Sequence, residues 1–198
     1  MVLLDSLLIF LAAYLLGSFP TAYLALQIFK KKDIRAEGSG NVGALNALRS
    51  SGSRVIGAAV LLVDLLKGLA GIYLLQHYIG TQFPGEFLTA CGLVLGHNYP
   101  VWLRFNGGRG LAVTAGALLM INPLLVAIWA ALWLVYFILL RKHIVANLVA
   151  TFLLPLVVFF THPFLFDDQI LLMILPVCLI ILLRHLERIP DVIQESFH

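Results

Sequence analysis

Charge is scarce in this sequence. Aspartate, glutamate, lysine and arginine make up 12% of the 198 residues, whereas 61% are hydrophobic, and the mean hydropathy is +0.99. A soluble protein of average composition carries about 25% charged residues. The deficit excludes an ordinary soluble domain. Because several apolar runs approach or exceed about 20 residues, the sequence predicts a membrane protein made of helices rather than a β-barrel.

Motifs for metals and for common nucleophiles are also missing. The two cysteines, Cys91 and Cys178, fall in apolar segments, which predicts buried thiols and no disulfide. There is no His-x-x-x-His pair and no cysteine cluster, so no metal site is expected. The sequence also lacks a Walker loop, a defensible Ser-His-Asp order and a His-x4-Asp motif. What remains feasible is transfer between ligands that are themselves activated, with the protein supplying positioning and electrostatic stabilisation.

Seven apolar segments follow one another within a single expected domain, residues 1–198. They cover residues 2–29, 55–78, 87–95, 111–121, 124–140, 144–160 and 170–183. We interpret the first as a retained helix, because it lacks a basic leader and a convincing cleavage site. The third and fourth are too short to span a bilayer at about 1.5 Å per residue. They are therefore expected to be partial or tilted helices whose polar loop dips toward the membrane.

Basic residues fall almost entirely in alternate connections. If seven segments cross the membrane, every lysine and arginine except Lys67 lies on one side. The loops on the opposite side carry acidic residues but no lysine or arginine. By the positive-inside rule, this split predicts a seven-helix bundle with its N-terminus outside and its C-terminus in the cytoplasm. Lys67 follows Asp64 by three residues, so the two charges share a helical face and should neutralise each other. An ion pair that fixes packing and a catalytic pair are both open.

Three polar stretches share the predicted cytoplasmic side: residues 38–49, residues 96–110 and the pair Arg184-His185. Converging arginines, glycine N–H groups and helix N-termini are typical of a site for phosphate or carboxylate. The candidate donors are Ser39, Asn41, Asn46, Arg49, His97, Arg109 and His185. Each has a plainer alternative, because a glycine run can be a flexible loop, an arginine can hold lipid headgroups, and a histidine can cap a helix.

At these stretches the sequence resembles the bacterial acyl-phosphate-dependent glycerol-3-phosphate acyltransferases, the PlsY family. Residues 38–49, GSGNVGALNALR, are similar to the family's GSGNxGAxNxxR, and residues 96–110 are similar to GHxxP followed by FKGGKG. Arg184-His185 opens a pattern that usually reads RHxxN. Asp64, Lys67 and Gly68 are similar to a family DxxKG. In order and spacing, these blocks cover nearly the whole chain.

The resemblance implies a multi-pass enzyme of the bacterial cytoplasmic (inner) membrane, with its active site on the cytoplasmic side. It would transfer a fatty acyl group from acyl phosphate to the 1-hydroxyl of glycerol 3-phosphate, giving lysophosphatidic acid and phosphate. No cofactor, metal, nucleic acid or obligate protein partner is implied. By position, Ser39, Arg49 and His185 would be catalytic. The residues that would bind substrate are Gly38, Gly40, Asn41, Asn46, His97, Gly107, Gly108, Arg109 and Gly110.

Within this site, we expect Arg49 to clamp a phosphate, the N–H groups of the loop at 107–110 to hold the acyl phosphate, and His185 to orient the acceptor. Four positions depart from the family pattern: Asn106, Arg109, Val113 and Arg188. Arg109 keeps the charge of a lysine but not its compact ammonium geometry. Two alternatives therefore stay open, a diverged relative that acylates another acceptor and a membrane transporter of anions or lipids.

Overall fold

The structure, a computed structural model, describes residues 3–80 and 83–187. These residues form nine α-helices and two short 3₁₀ turns, Ile34–Ala36 and Val101–Leu103, and no strand occurs among them. The helices are α1 (Leu3–Gly17), α2 (Thr21–Lys30), α3 (Ala44–Ser51), α4 (Arg54–Tyr78), α5 (Gly85–Asn98), α6 (Leu111–Ile121), α7 (Pro123–Leu140), α8 (His143–Thr161) and α9 (Asp168–Leu186). The predicted all-α class is confirmed. The departure at Arg188 lies outside the described residues.

Among the described residues, five stretches are long and apolar enough to cross a membrane. They are Leu3–Lys30, which combines α1 and α2, and helices α4, α7, α8 and α9. Helices α5 and α6 have 14 and 11 residues. At the helical rise they are roughly 21 and 17 Å long, less than the apolar thickness of about 30 Å. Two short helices therefore flank the polar loop, as predicted, while the number of crossings and their orientation stay predictions.

The sequence suggested that the first apolar segment is one continuous helix. In the structure this segment breaks between α1 and α2. Pro20 has no N–H with which to continue the helical hydrogen bonds. The hydroxyl oxygen of Ser18 accepts a hydrogen bond from the indole N–H of Trp102 at 2.9 Å. The carbonyl of Phe19 accepts one from Nζ of Lys67 at 2.8 Å. Polar groups at the break are thus paired with distant parts of the chain.

The polar connection after α2 contains a helix that the sequence analysis did not predict. Helix α3 starts after Gly43 and ends before Gly52, which has a left-handed conformation with φ of 66°. Its buried Ala47 packs in a small core with Leu26 of α2 and Val60 of α4. Eight residues are too few to make a stable helix alone, so this packing sustains it. The helix fixes the second half of the glycine-rich run.

Small residues allow the short helices to pack closely on their neighbours. A Cβ added to Gly68 of α4 would collide with the carbonyl of Val113 in α6, and one added to Gly116 would collide with the carbonyl of Leu65. Within a bilayer the hydrophobic effect does not drive helices together, so they associate largely through van der Waals packing. Close approach of the two backbones increases this packing. Helices α5, α6, α8 and α9 contribute most of the main apolar core. This packing holds the loop between α5 and α6 beside the end of α9.

Candidate active site

One buried amide shapes the glycine-rich run. Asn46 of α3 is 3% exposed. Its Nδ2 donates to the carbonyls of Glu37 and Asn41, both at 3.0 Å, and its Oδ1 accepts from the N–H of Ser39 at 3.3 Å and the hydroxyl of Ser50 at 3.2 Å. Because these bonds go to the run, to the residue just before it and to α3, we infer that Asn46 positions the loop. The sequence had suggested direct contact with substrate.

The loop held by Asn46 carries the other predicted residues of this run. Gly38 and Gly40 have φ of 53° and 66°, values that favour glycine. Ser39 lies between them and is half-buried. The Oδ1 atom of Asn41 is buried and has no hydrogen-bond partner in the part of the chain that the structure describes. Arg49 is exposed on α3. The run thus presents a hydroxyl, an amide and a guanidinium within a few residues.

The second stretch folds back against the end of α5. The N–H of Gly107 donates to the carbonyl of Asn98 at 3.1 Å, and the N–H of Gly108 donates to the carbonyl of His97 at 3.0 Å. A Cβ on Gly108 would collide with Nε2 of His97 and would lie 2.8 Å from the carbonyl oxygen of Val42. Glycine at 108 therefore lets the loop, His97 and the first run meet.

These backbone bonds change one expectation about the loop. The sequence analysis placed the loop N–H groups on the acyl phosphate, but those of Gly107 and Gly108 already donate to carbonyls of α5. The N–H groups in the first turn of α6 have no partner within the helix and can also serve a ligand. Gly110 is the N-cap of α6, so this turn starts directly after the loop.

Arg184 of α9 fastens the loop from the other side. Its Nε donates to the carbonyl of Gly108 at 3.2 Å, and its Nη2 donates to the carbonyl of Gly107 at 3.3 Å. Its Cζ lies 4.8 Å from the ring centroid of Tyr99, and its Nη1 lies 2.8 Å from Oε2 of Glu187. The planar, forked guanidinium suits two successive carbonyls, which one ammonium could not serve equally well. The sequence alone does not predict this role for Arg184.

Tyr99 completes the surroundings of Arg184. Its hydroxyl donates to Oε1 of Glu187 at 2.8 Å, and its carbonyl accepts from the hydroxyl of Tyr14 at 2.7 Å. Burial and the hydrogen bond to Glu187 raise the pKa of Tyr99 above its ordinary value, so the hydroxyl stays protonated and remains a donor. The carboxylate of Glu187 is thereby oriented toward the guanidinium.

His185 has one ring nitrogen committed and the other one open. The residue is 2% exposed, and its Nδ1 lies 2.9 Å from the carbonyl oxygen of Ile181. A carbonyl can only accept, so Nδ1 carries the hydrogen and Nε2 of the neutral ring is an acceptor. Nε2 is buried and contacts no hydrogen-bonding group of the described residues.

A buried charged network lies behind His97. Nζ of Lys67 lies 2.8 Å from Oδ1 of Asp64, which confirms that the two side chains share a face of α4. Lys67 also donates to the carbonyl of Phe19, and Oδ1 of Asp64 lies 3.9 Å from Nδ1 of His97. Since both charged groups are used in contacts between helices, the placement favours the packing alternative. The network connects the break after α1 to the histidine that contacts Gly108.

The three predicted stretches converge at the loop 107–110. The first run reaches it at Val42, α5 through His97, and α9 through Arg184. Two of the departures make other contacts. Asn106 is exposed and donates back to the carbonyl of Arg104 at 3.3 Å, and Val113 is fully buried in the contact between α4 and α6.

Two buried polar side chains that no sequence pattern had singled out lie beside Gly110. The side-chain nitrogen and oxygen of Asn98 and the hydroxyl of Thr114 are buried. None of these three atoms has a hydrogen-bond partner among the described residues. A Cβ on Gly110 would lie 2.8 Å from Oδ1 of Asn98, and the N–H of Thr114 donates to the carbonyl of Gly110. An unsatisfied buried polar group costs about 1–3 kcal/mol. Both side chains are therefore candidates for contact with a ligand, and no motif spacing signalled them.

Comparison with known proteins gives a consistent result. The model of a family described as glycerol-3-phosphate acyltransferase matches residues 7–195. Glycerol-3-phosphate acyltransferase of Wolbachia pipientis subsp. Culex pipiens is 32% identical over 191 residues, which is 96% of either chain. Glycerol-3-phosphate acyltransferase 2 of Moorella thermoacetica is 43% identical over 157 residues, 79% of either chain.

Solved structures show the same fold. The crystal structure of PlsY, an integral membrane glycerol 3-phosphate acyltransferase, in its glycerol 3-phosphate form has a TM-score of 0.83 at 30% identity, covering 96% of this chain and 93% of that one. The lysophosphatidic acid form of PlsY has a TM-score of 0.80 at 29% identity, with the same coverage.

Proposed function

Because this chain belongs to the glycerol-3-phosphate acyltransferase family, we propose that it transfers a fatty acyl group from acyl phosphate to the 1-hydroxyl of glycerol 3-phosphate. The products are lysophosphatidic acid and phosphate. The observation that carries the proposal is the convergence of the first run, His97 of α5 and Arg184 of α9 at residues 107–110. The related PlsY structures hold the acceptor and the product of this reaction.

We place this multi-pass membrane protein in the bacterial cytoplasmic membrane, as one domain over residues 1–198 with the site on the cytoplasmic side. The basic residues of the connection between α2 and α4 support this orientation, because they lie on the same side as the first run. Glycerol 3-phosphate is charged and soluble, so a site at the aqueous face receives it directly. The acyl donor instead reaches the site from the bilayer.

Phosphate groups bind between the first run and the start of α6. The first turn of α6 offers N–H groups and the positive end of the helix dipole. Arg109 brings a charge directly before this turn, and Arg49 brings a second one from α3. Ser39 and Asn41 add neutral hydrogen-bonding groups from the loop that Asn46 shapes. These groups supply charge-assisted and neutral hydrogen bonds to two phosphate-bearing substrates.

In the transfer step, the 1-hydroxyl oxygen attacks the acyl carbonyl carbon and forms the ester bond. The bond between that carbon and the phosphate oxygen breaks, and the phosphate leaves with its electron pair. The hydroxyl proton ends on the released phosphate. Nε2 of His185 accepts a hydrogen bond from the attacking hydroxyl and so orients it. Because the donor is already activated, positioning and charge stabilisation supply most of the acceleration.

A donor and acceptor panel tests this proposal. Purified protein in detergent should release phosphate from palmitoyl phosphate only when glycerol 3-phosphate is present, and palmitoyl-CoA should not replace the donor. Release with another phosphorylated or polyol acceptor, and none with glycerol 3-phosphate, would instead show a diverged relative. The departures from the family pattern at Asn106 and Arg109 are the reason to test for one. No release under conditions in which a family member is active would overturn the proposal.

A further inference from the structure

A polar surface cavity, which we call the outer cavity, lies beside the proposed reaction centre. Its volume is about 490 Å³, and its lining residues are Asp33, Arg35, Ala36, Gly40, Arg104 and Asn106. Because one water molecule takes up about 30 Å³ of liquid, this volume has room for a small solute together with its water. Gly40 belongs to the glycine-rich run, and Asn106 directly precedes Gly107. The outer cavity therefore borders both segments of the site.

Arg104 brings an uncommitted charge to the outer cavity. The residue is exposed, and its guanidinium makes no hydrogen bond or ion pair with any residue that the structure describes. Its backbone N–H, in contrast, donates to the carbonyl of Val101 at 3.3 Å. The next N–H, that of Phe105, donates to the carbonyl of Pro100 at 3.0 Å. The turn is thus fixed at the cavity, while the guanidinium remains available to a ligand.

Arg35 adds a second guanidinium, which an acid partly neutralises. Its Nε lies 3.0 Å from Oδ1 of Asp33, and its Nη2 lies 2.6 Å from Oδ2 of the same carboxylate. Its Cζ lies 5.3 Å from the ring centroid of Tyr23, so the group is held from two sides. Nη1 takes no part in the bonds to Asp33. With two guanidiniums and one carboxylate, the lining has a net positive charge.

We propose that the outer cavity binds a phosphate monoester, with Arg104 as its main partner and Arg35 as a second donor. The choice of ligand rests on the proposed function, in which the acceptor and the product are both phosphate monoesters. Such a group carries about −1.5 to −2 charges at neutral pH, and a guanidinium can donate two parallel hydrogen bonds to it. The monoester comes either from water, as glycerol 3-phosphate, or from the bilayer, as a lipid headgroup.

Protection of single arginines from phenylglyoxal, measured by mass spectrometry, tests this site without depending on turnover. In one arm, wild-type protein in detergent is titrated with glycerol 3-phosphate, or with glycerol, at constant ionic strength. In the other arm, the protein is in phosphatidylcholine nanodiscs with or without phosphatidic acid. Arg104 should be protected by the phosphate-bearing ligand in at least one arm, and the arm identifies the source of the monoester.

Arg141 is the internal control in both arms. It is exposed like Arg104, and the two residues have nearly the same left-handed backbone, with φ of 54° and 53°. Arg141 follows α7 and does not line the outer cavity. General screening of surface charge would therefore protect both arginines, whereas a ligand in the outer cavity protects only Arg104.

Two substitutions should shift the protection of Arg104 in opposite directions without changing Arg104 itself. Asp33→Asn removes a carboxylate charge but keeps an oxygen for the backbone N–H of Arg35, which lies 3.0 Å from Oδ1. The half-protecting concentration of the monoester should fall about two- to fivefold, the effect of an exposed charge interaction. Asn106→Asp adds a carboxylate to the lining and should raise that concentration by a similar factor.

The outcomes separate this inference from the proposed function. Equal protection of Arg104 and Arg141, or no protection of Arg104 in either arm, overturns the inference. An unchanged half-protecting concentration in both folded variants also overturns it. These results leave the proposed function intact if the wild type still transfers the acyl group. Conversely, a wild type that transfers nothing, but in which the monoester protects Arg104 and not Arg141, overturns the function and supports the outer cavity as a phosphate site.

Discussion

Replacing Arg184 with alanine should uncouple the glycine loop from α9. The substitution removes the hydrogen bonds from Nε and Nη2 to the carbonyls of Gly108 and Gly107, at 3.2 and 3.3 Å. It also removes the stacking of the guanidinium on Tyr99. Of the bonds described above, those from the loop to α5 would remain. Because the first turn of α6 follows the loop directly, its N–H groups would lose their fixed position relative to His185.

The expected loss follows from the number and length of these bonds. A hydrogen bond to a charged group contributes about 1.5–3 kcal/mol. Both distances are at the long end for N–H···O bonds, so we take the lower value for each, or about 3 kcal/mol together. If that energy holds the active loop position, kcat/KM should fall about 100-fold, since each 1.36 kcal/mol changes a rate about tenfold. The kcat/KM of Arg184→Lys should lie between those of Arg184→Ala and the wild type, because an ammonium keeps the charge but not the forked geometry of a guanidinium.

The assay is the release of phosphate from palmitoyl phosphate in the presence of glycerol 3-phosphate, with thermal unfolding measured on the same samples. A folded Arg184→Ala variant with strongly reduced kcat/KM supports the positioning role. Arg54→Ala is the control, because Arg54 is an exposed basic residue at the start of α4, and its kinetics should not change. If Arg184→Ala retains wild-type kcat/KM while folded, the two carbonyl bonds do not position the site.

Three further substitutions test other parts of the site. Arg49→Ala should raise KM for glycerol 3-phosphate at least about tenfold, because a charge-assisted bond contributes about 1.5–3 kcal/mol; an unchanged KM would exclude Arg49 from binding. Lys67→Met leaves Asp64 buried and unpaired and should cost about 3–5 kcal/mol of stability in thermal unfolding; adding Asp64→Asn should recover part of this, and no recovery would argue against the pair. Asn46→Ala leaves loop carbonyls unpaired and should lower activity toward both substrates, so wild-type activity would contradict its positioning role.

Much of the fold follows from hydropathy and helical spacing. Long apolar runs predicted the membrane helices, and a separation of three residues placed Lys67 beside Asp64, where the structure has them 2.8 Å apart. The short pieces on either side of the polar loop were also predicted, since their lengths can be counted. These features depend on local sequence, which is why they are legible without coordinates.

Features that depend on tertiary contacts were not predicted. The break near Pro20 is paired by Lys67 and Trp102, residues that are far from it in the chain. Helix α3 has only eight residues, and its stability comes from packing on α2 and α4. Neither the break nor helix α3 is evident in the sequence, because neighbouring residues do not indicate which distant residues stabilise them.

The candidate site shows the same division. Motif positions identified the stretches that converge, but not which atoms are already used. The N–H groups of Gly107 and Gly108 and the amide of Asn46 are committed to other parts of the chain, whereas Nε2 of His185 is not. Only the folded backbone determines this, so a motif can locate a phosphate site without giving the role of each residue in it.

The most direct test of the account is the stoichiometry of a single reaction. Purified wild-type protein is given palmitoyl phosphate and isotopically labelled glycerol 3-phosphate, and both products are followed over time by mass spectrometry and a phosphate assay. We predict labelled lysophosphatidic acid and phosphate in equal amounts, with neither formed when the acceptor is left out. Phosphate released without labelled lysophosphatidic acid, or no product at all beside an active relative, would contradict the claim that this site joins the two substrates.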